Sequence, residues 1–165
     1  MRRAVALLAI SLAVAAVAGC GGGEGRPRFE PAADWHLLSG NGELAAANVP
    51  FAGRDRSLAS PPSRTVATLP RSGVVIWAMF SRAGKISRRA LPLRLTGAAR
   101  SNPFEGFSCA PAVPLSRCFA ASGSVRRLAG RLGGYDVDLY VFLGTDRPSS
   151  TQLAAVDAEL ARLRA

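Results

Sequence analysis

The sequence feature that most constrains the fold is a glycine pair, Gly133-Gly134, set between two alternating runs in "SVRRLAGRLGGYDVDLYVFLG". Two adjacent glycines supply the positive backbone angles that a two-residue hairpin turn requires. A turn at this position sets Leu132 opposite Tyr135 and Leu128 opposite Leu139. The residues expected to point inward are apolar: Leu128, Leu132, Tyr135, Val137, Leu139 and Val141. The sequence therefore predicts a long antiparallel hairpin with one buried face.

The opposite face of this hairpin is charged and carries Arg127, Arg131, Asp136 and Asp138. Two carboxylates two residues apart on a strand resemble an acid/base or metal pair. Arginines across the strands explain them more simply, because opposite charges stabilise an exposed sheet face by a fraction of a kcal/mol. We interpret the group as a solvated face, with Arg131 directly opposite Asp136.

Further strands are indicated on both sides of a turn in "RTVATLPRSGVVIWAMF", where two β-rich runs flank Pro-Arg-Ser-Gly. The second run, residues 74–80, is continuously apolar, which is typical of a central strand covered on both faces. Its branched residues and tryptophan favour a strand over a buried helix. Residues 88–95, "RRALPLRL", alternate, and Pro92 predicts a sheet edge or a bulge there.

The carboxyl-terminal segment predicts an amphipathic helix. Ser149 and Gln152 fit a capping box that follows Pro148. Apolar residues then recur at helical spacing at Leu153, Val156, Leu160 and Leu163, with Asp157 and Glu159 placed early and Arg162 and Arg164 placed in the last turn. Such a stripe most simply packs on the protein's own sheet. Hairpins followed by a helix predict an α+β fold, mainly antiparallel sheet; a β-sandwich with an appended helix is the alternative.

The amino terminus has the three parts of a secretory signal: two arginines, an apolar run over residues 4–18 and a small-residue step. That run is shorter than the roughly 20 residues of a helix that crosses a bilayer. The step over residues 17–20, "VAGC", resembles the lipobox of bacterial lipoproteins. The resemblance implies that residues 1–19 are a signal peptide and that Cys20 carries a diacylglyceryl anchor. An ordinary secretory signal or an uncleaved anchor are the alternatives.

The rest of the chain is expected to form one domain held outside the cell membrane by the lipid on Cys20. Residues 20–33 are rich in glycine and proline, which predicts a flexible tether, and residues 34–165 are the expected globular domain. By overall character the chain resembles the small lipoproteins of GC-rich bacteria.

Two further cysteines, Cys109 and Cys118, flank "APAVPLSR". Disulfides persist in exported proteins, so we predict that these two pair. Their spacing does not suit a zinc site, and the Cys-x-x-Cys pattern of redox sites is absent from the sequence.

The charge of the chain is strongly basic, with a formal value of +10 that falls to +8 when Arg2 and Arg3 leave with the signal. Lys85 is the only lysine, an imbalance that a GC-rich coding sequence produces. A basic chain of this kind can bind anionic envelope polymers or lipids. The arginines are scattered, so nucleic acid is not an expected partner.

The residues from 48 to 64 lack clear periodicity, and long irregular loops are where binding residues tend to lie. Phe51, Arg54, Arg56 and Arg64 are therefore possible binding residues. The alternative is a solvated loop that its prolines hold in place.

Catalytic, metal and cofactor motifs are absent from the sequence. The single histidine, His36, rules out a site with two histidine ligands, and no Gly-x-Ser-x-Gly elbow occurs. Carboxylate-only hydrolysis stays open at Glu43, Asp55, Glu105 or the Asp136 pair. The leading expectation is a non-catalytic module that binds an envelope protein or another envelope component; an arginine-driven polyanion binder comes second, and a carboxylate hydrolase third.

Overall fold

The chain is described by a computed structural model over residues 26–40, 42–53, 55, 62–84, 94–95 and 123–164, with the backbone alone at 108–110 and 113–114. The elements in chain order are β1 (Arg28–Phe29), β2 (His36–Gly40), β3 (Glu43–Ala47), α1 (Ser63–Ala67), β4 (Val74–Arg82), β5 (Ser108–Ala110), β6 (Val113–Pro114), β7 (Ser124–Leu132), β8 (Tyr135–Leu143), α2 (Ser150–Leu160) and β9 (Leu163–Arg164).

The fold is α+β, as the sequence predicts. Its centre is a five-stranded antiparallel sheet with strand order β2-β3-β4-β8-β7. Two short two-stranded sheets, β1-β9 and β5-β6, accompany it. The continuously apolar run at 74–80 lies in β4, the middle strand, which confirms its prediction as a central strand.

One face of the five-stranded sheet, which we name the α2 face, packs against α2. The buried side chains of this face and of the elements that cover it include Leu44, Ile76, Leu139, Val141, Val156, Leu160, Phe29 and Leu163. Val156 and Leu160 of the helix are fully excluded from solvent. The apolar stripe of the helix thus packs on its own sheet, as expected from its spacing.

The other face, which we name the α1 face, packs against α1 and the segment before it. Its buried side chains are Ala45, Ala47, Val75, Trp77, Tyr140 and Phe142, together with Val66 of α1. Because both faces of the sheet are covered, residues 74–80 of β4 and the second half of β8 are apolar in every position rather than in alternate ones.

The predicted hairpin is confirmed in its register. Leu132 pairs with Tyr135, Leu128 with Leu139 and Arg131 with Asp136. Gly133 has a φ of 56°, in the left-handed region that favours glycine in such a turn.

The first β-rich run of the sequence analysis is a helix instead. Residues 63–67 form α1, although Thr65 and Val66 are residues that favour strands. The buried Asp55 carboxylate accepts hydrogen bonds from Thr65 N (2.6 Å) and Arg64 N (3.4 Å), the donors that a helix amino terminus exposes. This long-range capping and the burial of Val66 override the local preference. The predicted turn that follows is confirmed, with Gly73 N donating to Pro70 O at 2.7 Å.

The carboxyl-terminal helix begins as predicted and ends earlier than predicted. Ser149 Oγ accepts from Gln152 N at 3.1 Å, which confirms the cap. The helix ends at Leu160, so no basic residue lies in its last turn and Leu163 belongs to β9. Asp157 accepts a hydrogen bond from Leu95 N, and Glu159 accepts one from Ala32 N. Their carboxylates hold neighbouring segments instead of complementing the helix dipole.

Part of the segment for which the sequence predicts a tether belongs to the fold. Phe29 is only 6% exposed and lies in the core of the α2 face. It pairs with Leu163, so that β1 and β9 join the first described residues to the last ones. The fold therefore begins before residue 34.

No helix among the described residues is long and apolar enough to cross a membrane. Of the strand predicted at 88–95, only Arg94 and Leu95 are described, and Leu95 is buried.

Candidate functional site

A pocket of about 590 Å³ lies on the α2 face, at the end of the sheet where β2 turns into β3. One wall is the chain from Arg26 to Glu30. The other walls come from the β2-β3 hairpin and from the ends of β4 and β8, through Phe80, Arg82 and Tyr135. Ligand sites of proteins typically occupy about 300–1,000 Å³, so the pocket has the volume of a small-molecule site.

The β2-β3 turn is held tightly against β4 beneath this pocket. Gly42 O accepts a hydrogen bond from Phe80 N at 2.6 Å. Gly42 has a φ of 80°, and a Cβ at this position would lie 3.1 Å from Phe80 O. Both constraints favour glycine, which keeps the hairpin close to β4 and leaves the pocket open above it.

The amino-terminal wall is attached to the core at two places. Phe29 is buried beside Leu163, and Ala32 N donates to Glu159 Oε2 at 3.1 Å. Glu159 itself is 5% exposed and pairs with Arg162. The wall is therefore part of the packed structure.

The charged groups around the pocket are predominantly cationic. Arg26, Arg28 and Arg82 line it, and all three residues are exposed. The ion pairs among the described residues join Arg127 to Asp138, Arg131 to Asp136 and Arg162 to Glu159, and they include none of the three lining arginines.

Only one of the two acidic residues of the lining has its carboxylate available to balance these arginines. Glu43 Oε2 accepts from Trp77 Nε1 at 3.3 Å, and Trp77 belongs to the α1 face of the sheet. The carboxylate of Glu43 is thus turned away from the pocket on the α2 face. Glu30, which is exposed, is left as the carboxylate on the pocket side.

Apolar side chains form much of the remaining lining, beside Ser39 and Tyr135. Phe29 and Leu44 are buried at its inner side, and Phe80 is half-buried. Leu37, on the edge strand β2, is 42% exposed and is the large apolar side chain most open to solvent among the described residues. The pocket therefore combines a cationic mouth with an apolar interior.

The charged face of the hairpin has the cross-strand ion pairs that the sequence predicts, but it is half-buried rather than fully solvated, because the side chains of Asp136 and Asp138 are only 17% and 23% exposed. Arg127 Nε donates to Asp138 Oδ1 at 2.7 Å, and Arg127 Nη2 also contacts Asp138. Arg131 Nε lies 3.7 Å from Asp136 Oδ1. Each aspartate of the candidate acid/base pair is thus next to an arginine.

An aromatic pair of the α1 face lies next to these salt bridges, on the same side of the sheet. Trp77 stacks on Tyr140 with ring centroids 5.4 Å apart, and the Arg127 guanidinium lies 5.5 Å from the Tyr140 centroid. Burial raises the pKa of Tyr140 to about 12, and the nearby Asp138 acts in the same direction. The hydrogen bond to Asp138 raises the pKa of Arg127 above its usual value. Both groups keep their protons, which fits a structural role.

The other carboxylates considered for hydrolysis do not meet in one place. Asp55 is 8% exposed and caps α1, and Glu43 is bonded to Trp77. Glu105 lies outside the described residues. His36 is exposed on the edge strand β2. In the described part of the chain, no three or more His, Cys, Asp or Glu side chains cluster as a metal site would require.

Of the loop residues proposed from the sequence as binding residues, the two that the structure describes lie away from the pocket. Phe51 is half-buried and packs on the core of the α1 face, and Arg64 is exposed on α1. Arg54 and Arg56 lie outside the described residues. The structure brings neither Phe51 nor Arg64 to the pocket on the α2 face.

The two predictions that concern cysteines involve residues whose side chains are not described. Cys20 and Cys118 lie outside the described residues, and Cys109 is described only as backbone in β5. The lipid attachment and the disulfide stay predictions.

Sequence reasoning missed the pocket because its residues come from separate parts of the chain. Arg26 and Arg28 lie in the expected tether, Leu37 in a short edge strand and Arg82 at the end of the central strand. The signal that was available is Phe29, a large apolar residue within a polar Gly/Pro-rich segment. If Phe29 had been predicted to be buried, its neighbours Arg26 and Arg28 would have been expected to lie against the sheet.

No protein-family model, curated protein or solved structure matches this chain.

Proposed function

We propose that this chain is a lipid-anchored extracytoplasmic binding module, attached through Cys20 to the outer face of the cell membrane, and that its ligand site is the pocket on the α2 face. The observation that carries the proposal is the pocket wall over Arg26 to Glu30, which begins six residues after Cys20 in the sequence. The same short segment would thus connect the lipid anchor and complete the pocket. Anchoring and binding would be functions of one end of the domain.

The chemistry of the pocket supports binding rather than catalysis. An apolar interior with a few convergent polar groups is the usual composition of a ligand site. Four of the carboxylates considered for hydrolysis lie in the described part of the chain, and they are bonded to Trp77, to the α1 backbone or to arginines, at separate places. The second candidate ligand is an envelope protein, because β2 is an edge strand of the described sheet and lies beside the pocket, where another chain can pair with its backbone.

The binding part of the proposal can be tested by filling the pocket. Ser39 is exposed on β2 and lines the pocket, so Ser39→Trp places an indole at its mouth. Ser72 is equally exposed but lies before β4, at the opposite end of the sheet, so Ser72→Trp is the matched control. The full-length chain is extracted from membranes in mild detergent, and small molecules that copurify with it are identified by native mass spectrometry.

We expect the wild type and Ser72→Trp to retain the same bound molecule and Ser39→Trp to lose it. A wild-type protein that retains no molecule, or a Ser39→Trp variant that retains it fully, would contradict a ligand site in this pocket. Thermal unfolding of all three proteins checks that the indole has not simply disrupted the hairpin.

A further inference from the structure

We infer that the pocket binds the headgroup of an anionic phospholipid of the same membrane that holds the lipid anchor. This inference rests on the proposed function, because the lipid on Cys20 is what would bring the pocket to the membrane. Its independent basis is the charge of the pocket, the exposed apolar residue in its lining and the covalent distance between Cys20 and the first described residue.

The charge at the mouth of the pocket suits a phosphate. Arg26, Arg28 and Arg82 are exposed there and take part in none of the ion pairs found among the described residues. Glu30 is the one lining carboxylate on their side of the sheet, since Glu43 bonds to Trp77. A guanidinium presents several donors in a planar arrangement that matches phosphate oxygens. An anion placed among three such groups therefore finds an excess of positive charge.

The apolar part of the pocket suits the region just below a headgroup. Leu37, which is 42% exposed, and the half-buried Phe80 both line the pocket. An exposed leucine in the lining of a cationic pocket is unfavourable in water, and it gains from contact with the upper acyl chain of a lipid whose phosphate the arginines hold. A soluble polyanion such as a wall polymer would leave Leu37 in water.

The length of chain between Cys20 and Arg26 limits how far the pocket can lie from the membrane. Six peptide steps separate the two residues, and an extended chain spans at most about 3.6 Å per residue, so the distance cannot exceed about 22 Å. Arg26 itself lines the pocket. Whatever path the intervening residues take, the anchor would hold the arginines within that distance of the lipid. Contacts that are weak in free solution become populated when a short tether makes them intramolecular.

The experiment compares hydrogen–deuterium exchange of the full-length, membrane-extracted chain in two kinds of nanodisc, one of phosphatidylcholine and one containing phosphatidylglycerol. The readout is the backbone amides of the β2-β3 hairpin at residues 36–40 and 42–43, of which 37, 39, 40, 42 and 43 line the pocket. We expect slower exchange at these residues in the anionic discs than in the neutral ones, and loss of the difference at high salt. Residues 68–73, at the opposite end of the sheet, serve as the internal reference.

Matched arginine variants test which cations are responsible. Arg26→Gln with Arg82→Gln removes two charges from the pocket, and Arg71→Gln with Arg147→Gln removes two exposed charges at the opposite end of the sheet. Each arginine near an anionic surface contributes about 1 kcal/mol, so the pocket pair should lower the docking constant roughly 30-fold. The control pair should leave the slowed exchange in place.

Three results would overturn the inference. Equal exchange in neutral and anionic discs would exclude headgroup binding. Equal effects of the two arginine pairs would show that general surface charge, and not the pocket, causes the slower exchange. Slowed exchange with soluble glycerol phosphate at the same phosphate concentration would assign the pocket to a soluble anion. The mass of the amino-terminal peptide from the same sample separates this inference from the proposed function. If Cys20 carries no lipid, the proposed anchoring is wrong. The protein is then added to preformed vesicles, and it must still bind anionic vesicles more strongly than neutral ones if the pocket binds headgroups.

Discussion

At the scale of single residues, Asp55 is the polar group on which the α1 face depends most. Its Oδ2 accepts from both Thr65 N (2.6 Å) and Thr65 Oγ1 (2.7 Å), and it is buried. Removing it leaves buried donors unsatisfied, which typically costs about 1–3 kcal/mol. We predict that Asp55→Ala lowers the free energy of unfolding in urea by this amount.

The control for this prediction is Asp34→Ala, which removes an exposed aspartate and should change stability by less than about 0.5 kcal/mol. Equal effects of the two substitutions would show that Asp55 does not hold α1 in place.

Tyr140 gives a second residue-scale prediction, in the alkaline range. Burial raises the pKa of Tyr140 from 10.0 to about 12, so the folded chain keeps a phenolic proton that the unfolded chain loses. The contribution of this group to stability is therefore complete below pH 10 and is lost as the pH rises towards 12. The difference in tyrosinate absorbance between the wild type and Tyr140→Phe, recorded while the chain is folded, should have its midpoint near pH 12. A midpoint near pH 10 would mean that Tyr140 is solvated.

The sequence predicted the ion pair between residues directly opposite each other in the β7-β8 hairpin, but not the diagonal one. The pairing of Arg131 with Asp136 follows from the hairpin register alone, and the structure places their charged atoms 3.7 Å apart. The contact of Arg127 with Asp138 is diagonal, because the residue directly across from Arg127 is Tyr140. This contact forms because the Arg127 side chain crosses the Tyr140 ring, and the strand register does not determine that conformation.

At the scale of elements, the pairing of β1 with β9 decides where the fold begins. Phe29 is buried in this short sheet, whereas its neighbour Glu30 is exposed. Truncation of a buried phenylalanine costs about 3–5 kcal/mol. We predict that Phe29→Ala lowers the free energy of unfolding by an amount in this range, whereas Glu30→Ala has little effect. If both substitutions were neutral in urea unfolding, residues 26–30 would be part of the tether and the pocket would lack its wall.

The amino-terminal cap of α2 gives a second element-scale prediction. Ser149 Oγ accepts from Gln152 N, and Ser150 next to it is exposed within the helix. Loss of such a cap costs about 1 kcal/mol. Ser149→Ala should therefore destabilise the chain by about that amount in urea unfolding, and Ser150→Ala should be nearly neutral. A destabilising Ser150→Ala with a neutral Ser149→Ala would place the start of the helix elsewhere.

The elements that the sequence predicts correctly are those with a strong local pattern, and the others depend on distant contacts. The β7-β8 hairpin and the central strand β4 have a clear turn or an unbroken apolar run. The helix α1 requires Asp55 from outside it, and β1 and β9 are two residues long. No pattern of two residues can specify a strand, so the beginning of the fold and the end of α2 could not be read from the sequence.

At the scale of the whole molecule, the two faces of the sheet have different roles. The α1 face is closed by an aromatic pair and salt-bridged side chains. The α2 face is closed by α2 over part of its area and is open at the pocket, where the amino-terminal segment crosses it. The pocket could not be predicted because residues as distant as Arg26 and Tyr135 meet in it only after the chain has folded.

The central claim is that the segment forming the pocket wall also joins the domain to a lipid, and the mass of the amino-terminal peptide tests it most directly. The full-length chain is expressed in a bacterium, extracted from the membrane and digested, with Cys20→Ala as the control. The account predicts a wild-type peptide that begins at Cys20 and carries the mass of a diacylglyceryl group, which the variant lacks. An unmodified wild-type peptide, or one that still contains the residues before Cys20, would contradict it.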